Sequence, residues 1–337
     1  MFQEDKETSK KYKQLYLDGL EKLINRRENE YEKERSKYIK DIFKNPKKYR
    51  EDFKKMLGYP LVGYEKCGLP KVKSEKLSDE KDYSISRMSF EILDGVWISG
   101  LLFKRDDKKR PMVLVQHGGL GTPELISGFY GNDTTNYNHM LERVIQYDVN
   151  AFAPQLLIWD GAAYELNFNR QEIDARLKRV GSSITAVEVF ALTRIIDWFE
   201  AQSYVKNFGM VGLSYGGFYT LFTTAVDTRI KSAISCSYFN DRTKIGWTDW
   251  TWENAAEKFF DAETACLIYP RRLCIEVSDN DELFIFDDAK NEWNRLKKLC
   301  SEVGCDWVDF ISFEGIHEFC KFDEPIKRLT DDLIEEA

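Results

Sequence analysis

The chain has 337 residues, of which 43% are hydrophobic and 31% charged, too apolar for a disordered polymer and too polar for an integral membrane protein. Its 49 Lys and Arg against 57 Asp and Glu leave a formal charge of −8, which gives no support to nucleic-acid or anionic-membrane binding. A chain of this length can bury a core large enough to fold without disulfides or a structural metal.

Residues 1–58 differ from the rest. They hold 17 Lys/Arg and 12 Asp/Glu, a net +5, whereas the remainder holds 32 against 45, a net −13. With few β-branched residues and no proline before Pro46, this segment reads as a helical N-terminal extension ahead of a domain over 59–337. Leu17, Ile24, Tyr31 and Tyr38 recur every seven residues, but Arg27 and Glu34 break the second row that Leu20 opens, so a long coiled coil is not expected. The segment is expected to pack on its own domain, and its charge suggests a homodimer in which the arm docks on an acidic partner. Residues 1–6 lack the basic and apolar regions of a secretory leader, and no stretch reaches the roughly 20 apolar residues of a membrane span. Seven cysteines, at 67, 236, 266, 274, 300, 305 and 320, include no CxxC pair, and there are three histidines. A cytoplasmic protein with reduced thiols and no metal site is expected.

From residue 59 the pattern is α/β. Residues 84–92 alternate, Asp94-Gly95 makes a turn, and 96–103 completes an antiparallel hairpin. Short apolar runs at 112–116, 149–154, 209–212, 233–236, 273–277 and 307–311 alternate with helical stretches such as 184–201 and 289–303. That order predicts a mostly parallel sheet with helices on both faces.

The run at 209–212 enters Gly212-Leu213-Ser214-Tyr215-Gly216, and a helix-compatible stretch follows. A serine at a sharp strand-to-helix turn needs small neighbours two residues away, because its backbone is bent and closely approached. This makes Ser214 the candidate nucleophile. A serine hydroxyl needs a base, and His317, in Gly315-Ile316-His317, is the only histidine downstream of it. Serine, acid, then histidine is the chain order of α/β-hydrolases. His139 reads as structural. The acid belongs in the loop 278–284, where Asp279, Asp281 and Glu282 compete. Asp281 is favoured because Leu283 and Phe284 can bury its surroundings, and Asp279 is next. Acyl transfer also needs two N–H groups for the developing oxyanion. Tyr215, directly after the serine, supplies one. The other falls in His117-Gly118-Gly119 at the end of the 112–116 run, with Gly119 favoured over Gly118 and His117 shaping the loop. No phosphate-loop string occurs.

These motifs resemble the α/β-hydrolases, and more specifically their dienelactone-hydrolase and acetyl-xylan-esterase-like branch. The stretch 261–284 (DAETACLIYPRRLCIEVSDNDELF) is similar to that branch's signature before the acid, and 53–61 (FKKMLGYPL) to its lead-in. The resemblance spans about residues 50–325. It implies an α/β-hydrolase fold, a serine esterase acting on small acyl esters, often of sugars, no cofactor, and the acid at Asp281. Ser278 stands where the branch usually has Gly, and Arg272 where it usually has Pro, which leaves Asp279 open.

Two aromatic groups are expected to line the substrate site. One is Trp247, Trp250 and Trp252 in a cap-like insertion at 240–262, with a packed cap core as the alternative. The other is Phe129-Tyr130 with Trp159-Asp160, each beyond a strand's C-terminal end. Arg170 and Arg194 read as bracing residues rather than carboxylate binders. The expectation is a small-molecule ester hydrolase. Its rivals are a peptidase or amidase, a C–C hydrolase, or a non-catalytic binding protein of the same fold.

Overall fold

The structure, a computed structural model, describes residues 1–59, 68–159 and 161–335; Cys67, Asp160 and the end of the 53–61 stretch lie outside the described residues. Nine strands form one sheet: β1 (Lys71–Asp79), β2 (Ser84–Leu93), β3 (Val96–Lys104), β4 (Arg110–Gln116), β5 (Asn150–Pro154), β6 (Val205–Leu213), β7 (Ile230–Cys236), β8 (Arg272–Ser278) and β9 (Val308–Phe313). Their order is β1-β2-β3-β5-β4-β6-β7-β8-β9. The first three pairings in that order are antiparallel and the other five parallel. The Asp94-Gly95 turn closes the β2–β3 hairpin with Gly95 at φ 75, a conformation that glycine adopts without strain.

The helices are α1 (Lys6–Tyr38), α2 (Pro46–Leu57), α3 (Pro123–Ile126), α4 (Met140–Ile145), α5 (Arg170–Arg179), α6 (Ile184–Glu200), α7 (Tyr215–Val226), α8 (Ala255–Lys258), α9 (Asp261–Cys266), α10 (Phe286–Leu299) and α11 (Glu324–Glu335). They cover both faces of the sheet. On one, α2, α6, α7, α9 and α10 build the larger core around Phe152, Ile195, Phe218 and Phe222. On the other, α4 and α11 cover Val113, Val211 and Ile234. Among the described residues no helix is long and apolar enough to cross a membrane.

The N-terminal segment is two helices: α1 ends at Tyr38, and α2 starts with Pro46 in its first turn, where its missing N–H costs nothing. Tyr49, Phe53 and Leu57 recur every four residues and are buried in the larger core, so α2 is part of the body. Among the described residues the α1 helix meets the body near its C-terminal end, where Arg35 is buried against Glu263 and Phe260. Every residue from 10 to 30 is exposed.

One buried charge stands out in the sheet. Glu276 lies fully buried in β8 opposite Cys236 of β7, whose thiol faces its carboxyl. Burial pushes its carboxyl up from 4.5 to about 7. Folding thus favours the neutral acid. The associated stability is complete below about pH 4.5 and is lost as pH rises through about 7. Relative to Glu276→Gln, the parent should therefore lose about 3 kcal/mol of stability between pH 4.5 and pH 9. Urea unfolding across that range measures it, and a gap independent of pH would refute the assignment.

Candidate active site

Ser214 lies between β6 and α7 with φ 59 and ψ −120, a region L-residues occupy only under constraint. The two motif glycines explain how the turn is held. A Cβ at Gly212 would lie 2.3 Å from the Gly216 carbonyl oxygen, and one at Gly216 would lie 2.2 Å from that of Gln116. The Ser214 N–H donates to the Cys236 carbonyl at the end of β7, at 2.8 Å.

His317 follows β9 in a loop fixed to the same strand end. The Ser237 hydroxyl donates to the carbonyl of Glu318 at 3.0 Å, and Asn136 Nδ2 donates to that of His317 at 2.9 Å. The loops carrying the histidine and the three carboxylates are stitched together. Asp279 accepts the Gly315 N–H at 3.1 Å, and Asn280 N–H donates to the Gly315 carbonyl at 3.1 Å. Ser278, the departure from the branch's glycine, is buried and donates its hydroxyl to the same carbonyl. Of the three carboxylates, Asp281 meets the histidine: its Oδ2 lies 2.8 Å from His317 Nδ1. Asp281 Oδ1 accepts from the N–H groups of Leu283 at 2.8 Å and Phe284 at 3.0 Å. The Phe284 ring stacks on the imidazole with centroids 5.7 Å apart. Glu282 points to solvent.

The His-Gly-Gly loop sits against this turn. A Cβ on Gly118 would come 3.5 Å from the Ser214 Cβ. The Gly118 N–H is already committed to the Tyr137 hydroxyl at 2.8 Å, which removes it as an oxyanion donor. No hydrogen bond from the Gly119 N–H occurs among the described residues, while its carbonyl takes the Trp159 N–H at 2.8 Å. Tyr215 opens α7, so its N–H belongs to the first turn of a helix, where intrahelical acceptors are lacking. His117 is fully buried, and burial lowers its pKa to about 4. Its Nδ1 lies 2.7 Å from the Gly118 carbonyl, and its Nε2 accepts from the Leu156 N–H at 3.1 Å. This neutral imidazole holds the loop's shape. His139 pairs with Glu142 at the half-exposed start of α4.

No protein-family model and no curated protein sequence matches the chain. Solved structures do. A Bacteroides fragilis protein described as an acetyl xylan esterase superposes with TM-score 0.64 at 15% identity, over 81% of this chain and 76% of that one. Glucuronoyl esterase from Solibacter usitatus gives 0.60 at 12% identity, over 84% and 91%. Acetyl xylan esterase 1 from a Thermoanaerobacterium species gives 0.56 at 12%, over 87% and 94%. The fold is that of the α/β-hydrolases.

Within this α/β-hydrolase fold the aromatic residues divide. Trp250 and Trp252 are buried. Trp250 stacks on Phe218 with centroids 4.6 Å apart, and Trp252 lies 5.5 Å from Phe222. They are core of the 240–262 segment over α7, not walls of a site. Trp247 is half-buried and, with Trp159, lines a hollow of about 360 Å³ floored by Asn169, Arg170 and Asp249. Trp159 also covers Gly119, where a Cβ would meet its ring at 2.7 Å. Tyr130 is 55% exposed and borders a larger apolar hollow of about 660 Å³, with Trp97 and Leu166.

Arg170 braces this floor. It is 3% exposed and bonds Glu188 at 2.8 Å, Asp249 at 2.9 Å and the Leu157 carbonyl at 2.7 Å, while its guanidinium lies over the Tyr215 ring. Burial raises the pKa of the Glu188 carboxyl, with the Arg170 charge opposing the rise. Sequence reasoning missed Glu188, which sits within the apolar helix α6; the charge inside an otherwise hydrophobic run was its only signal. Arg170→Met leaves two buried carboxylates uncompensated, and should cost about 3–5 kcal/mol of stability. Urea unfolding at neutral pH reads this directly; a loss under about 1 kcal/mol would show that the pair is solvated instead. Arg194 pairs with Asp197 at 2.5 Å and bonds the Gly68 carbonyl, also a bracing arrangement.

Proposed function

We propose that this protein is a serine hydrolase of carboxylic esters. The carrying observation is the 2.8 Å contact between His317 Nδ1 and Asp281, with Ser214 held at positive φ against the same strand end. In this reading His317 Nε2 takes the Ser214 proton as Oγ attacks the acyl carbonyl. Asp281 holds the proton on Nδ1 and stabilises the imidazolium. The N–H groups of Tyr215 and Gly119 receive the oxyanion. The imidazolium then protonates the departing alcohol, leaving an acyl-enzyme, and a water activated by the same imidazole releases the acid.

The structural neighbours described as acetyl xylan and glucuronoyl esterases support ester cleavage. The hollow walled by Trp159 and Trp247, beside Gly119, supports a ring-bearing substrate. Indole faces offer flat apolar area with a polar N–H edge, and acylated carbohydrates present matching faces. The test is labelling with a fluorophosphonate, mapped by mass spectrometry, alongside hydrolysis of p-nitrophenyl acetate, butyrate and octanoate and of a p-nitroanilide. Label on Ser214 with turnover of the short esters, and not of the anilide, is the expected result. A folded protein that neither labels nor hydrolyses them overturns the reading.

A further inference from the structure

A short strained segment joins the His-Gly-Gly loop to the loop of His317. Thr135, Asn138 and His139 have φ of 48, 47 and 56, in the left-handed region that residues other than glycine enter at a cost, a β-branched threonine most of all. Strain of this kind persists only where the surroundings over-determine it, and it gathers at functional sites. Local bonds hold the bend. The Asp133 carboxylate accepts the Thr135 N–H at 2.8 Å, and the Thr134 hydroxyl accepts that of His139 at 2.9 Å.

The bend lets consecutive side chains grip different loops. Asn136 Nδ2 donates to the His317 carbonyl at 2.9 Å, and the Asn136 carbonyl accepts the Phe319 N–H at 2.8 Å. Asn138 Nδ2 donates to the Glu318 carboxylate at 2.8 Å and to the Phe319 carbonyl at 2.7 Å. Between them, the buried Tyr137 reaches the His-Gly-Gly loop. Its hydroxyl accepts the Gly118 N–H at 2.8 Å, and a Cβ on Gly121 would overlap that hydroxyl. The Gly118 carbonyl is held as well, by the Gly121 N–H at 3.1 Å and by His117 Nδ1 at 2.7 Å. That carbonyl shares its peptide plane with the Gly119 N–H, so pinning the one aims the other.

Acyl transfer needs such a tie. Base and oxyanion donor must meet a single carbonyl, and a misplacement of about 1 Å costs about 100-fold. The sheet alone does not set their spacing, because three strands stand between β4, which leads to Gly119, and β9, which leads to His317. Resting on the serine-esterase reading, we propose that Tyr137 is a positioning residue: its hydroxyl aims the Gly119 N–H, and through Asn136 and Asn138 the same segment sets that donor's distance from His317.

Tyr137→Phe and Asn138→Gly in the full chain test this. Glycine adopts the φ of 47 without strain, so the second variant deletes both Asn138 bonds and leaves the bend possible. Fluorophosphonate labelling run to completion counts the competent serines, and turnover of p-nitrophenyl acetate is then read per labelled site. Tyr137→Phe should lower kcat per site ~30-fold with KM within about twofold. The inhibition constant of trifluoroacetone, whose hemiketal with Ser214 presents an oxyanion, should rise by the same ~30-fold. A tyrosine that only supports the fold would reduce the number of labelled sites and leave kcat per site and trifluoroacetone inhibition unchanged, and that result overturns the proposal. Asn138→Gly should lower kcat per site at least ~10-fold, and joining it to Tyr137→Phe should cost well under the ~300-fold product, because both act through one segment. Losses that multiply overturn the shared tie. A parent that neither labels nor turns over overturns the esterase reading and this proposal with it, whereas an active, labelled parent with an indifferent Tyr137→Phe overturns this proposal alone.

Discussion

Ser214→Ala should lower kcat/KM for p-nitrophenyl acetate by ~10⁴–10⁶-fold while leaving the free energy of urea unfolding within about 0.5 kcal/mol of the parent. Without the hydroxyl no acyl-enzyme forms, and only the oxyanion donors and binding contacts remain to assist attack by water. Alanine keeps a Cβ at the same φ of 59, so the substitution relieves no backbone strain and adds none. Fluorophosphonate labelling should disappear with the activity. A variant that keeps more than about a tenth of parental activity would move the nucleophile elsewhere.

Asp281→Asn separates the two competing acids. The Leu283 and Phe284 N–H groups both aim at Asp281 Oδ1. In the variant they keep the carboxamide oxygen on that side and turn its NH₂ toward His317 Nδ1. The imidazole must then accept at Nδ1 and carry its proton on Nε2, facing the serine, where it cannot serve as a base. A loss of ~10⁴-fold in kcat is expected, with little change in KM. Asp279→Asn retains an oxygen for the Gly315 N–H and should change activity by roughly two- to threefold. Equal losses in both variants would mean that the loop's shape, rather than the Asp281 carboxylate, is what His317 needs.

Much of the sheet was legible because parallel strands buried on both faces must be apolar throughout. The runs at 112–116, 209–212, 233–236 and 273–277 lie within β4, β6, β7 and β8. The glycines around Ser214 were legible because backbone atoms approach them within 3 Å. Less visible was β1. Its sequence KVKSEKLSD shows no run and little alternation, because nothing buries it, and cross-strand bonding alone leaves no hydrophobic signature. The helical extension expected over residues 1–58 is two helices, α1 ending at Tyr38 and α2 starting at Pro46 after Asn45, although the proline itself was in view. Trp250 and Trp252 were left between pocket wall and cap core for another reason. Tryptophan composition is the same in a wall and in a core, and the Phe218 and Phe222 partners that settle the matter lie on α7. The brace of Arg170, Glu188 and Asp249 joins α5, α6 and the segment between β7 and α8, three parts of the chain with no mutual spacing for a pattern to reveal.

The exposed, charged β1 also governs how this molecule behaves among its own copies when crowded or partly unfolded. A sheet edge offers unpaired N–H and C=O groups to any passing strand. Here the outermost position is taken by a strand bearing Lys71, Lys73, Glu75, Lys76 and Asp79, while β2 and β3, with Met88, Phe90, Ile92, Leu101 and Phe103 buried, lie inside it. Trimming the chain back to Ser84 would leave a β2 edge rich in aggregation-prone apolar residues. The charged strand acts as a fender, disfavouring pairing of this sheet edge with strands of other copies.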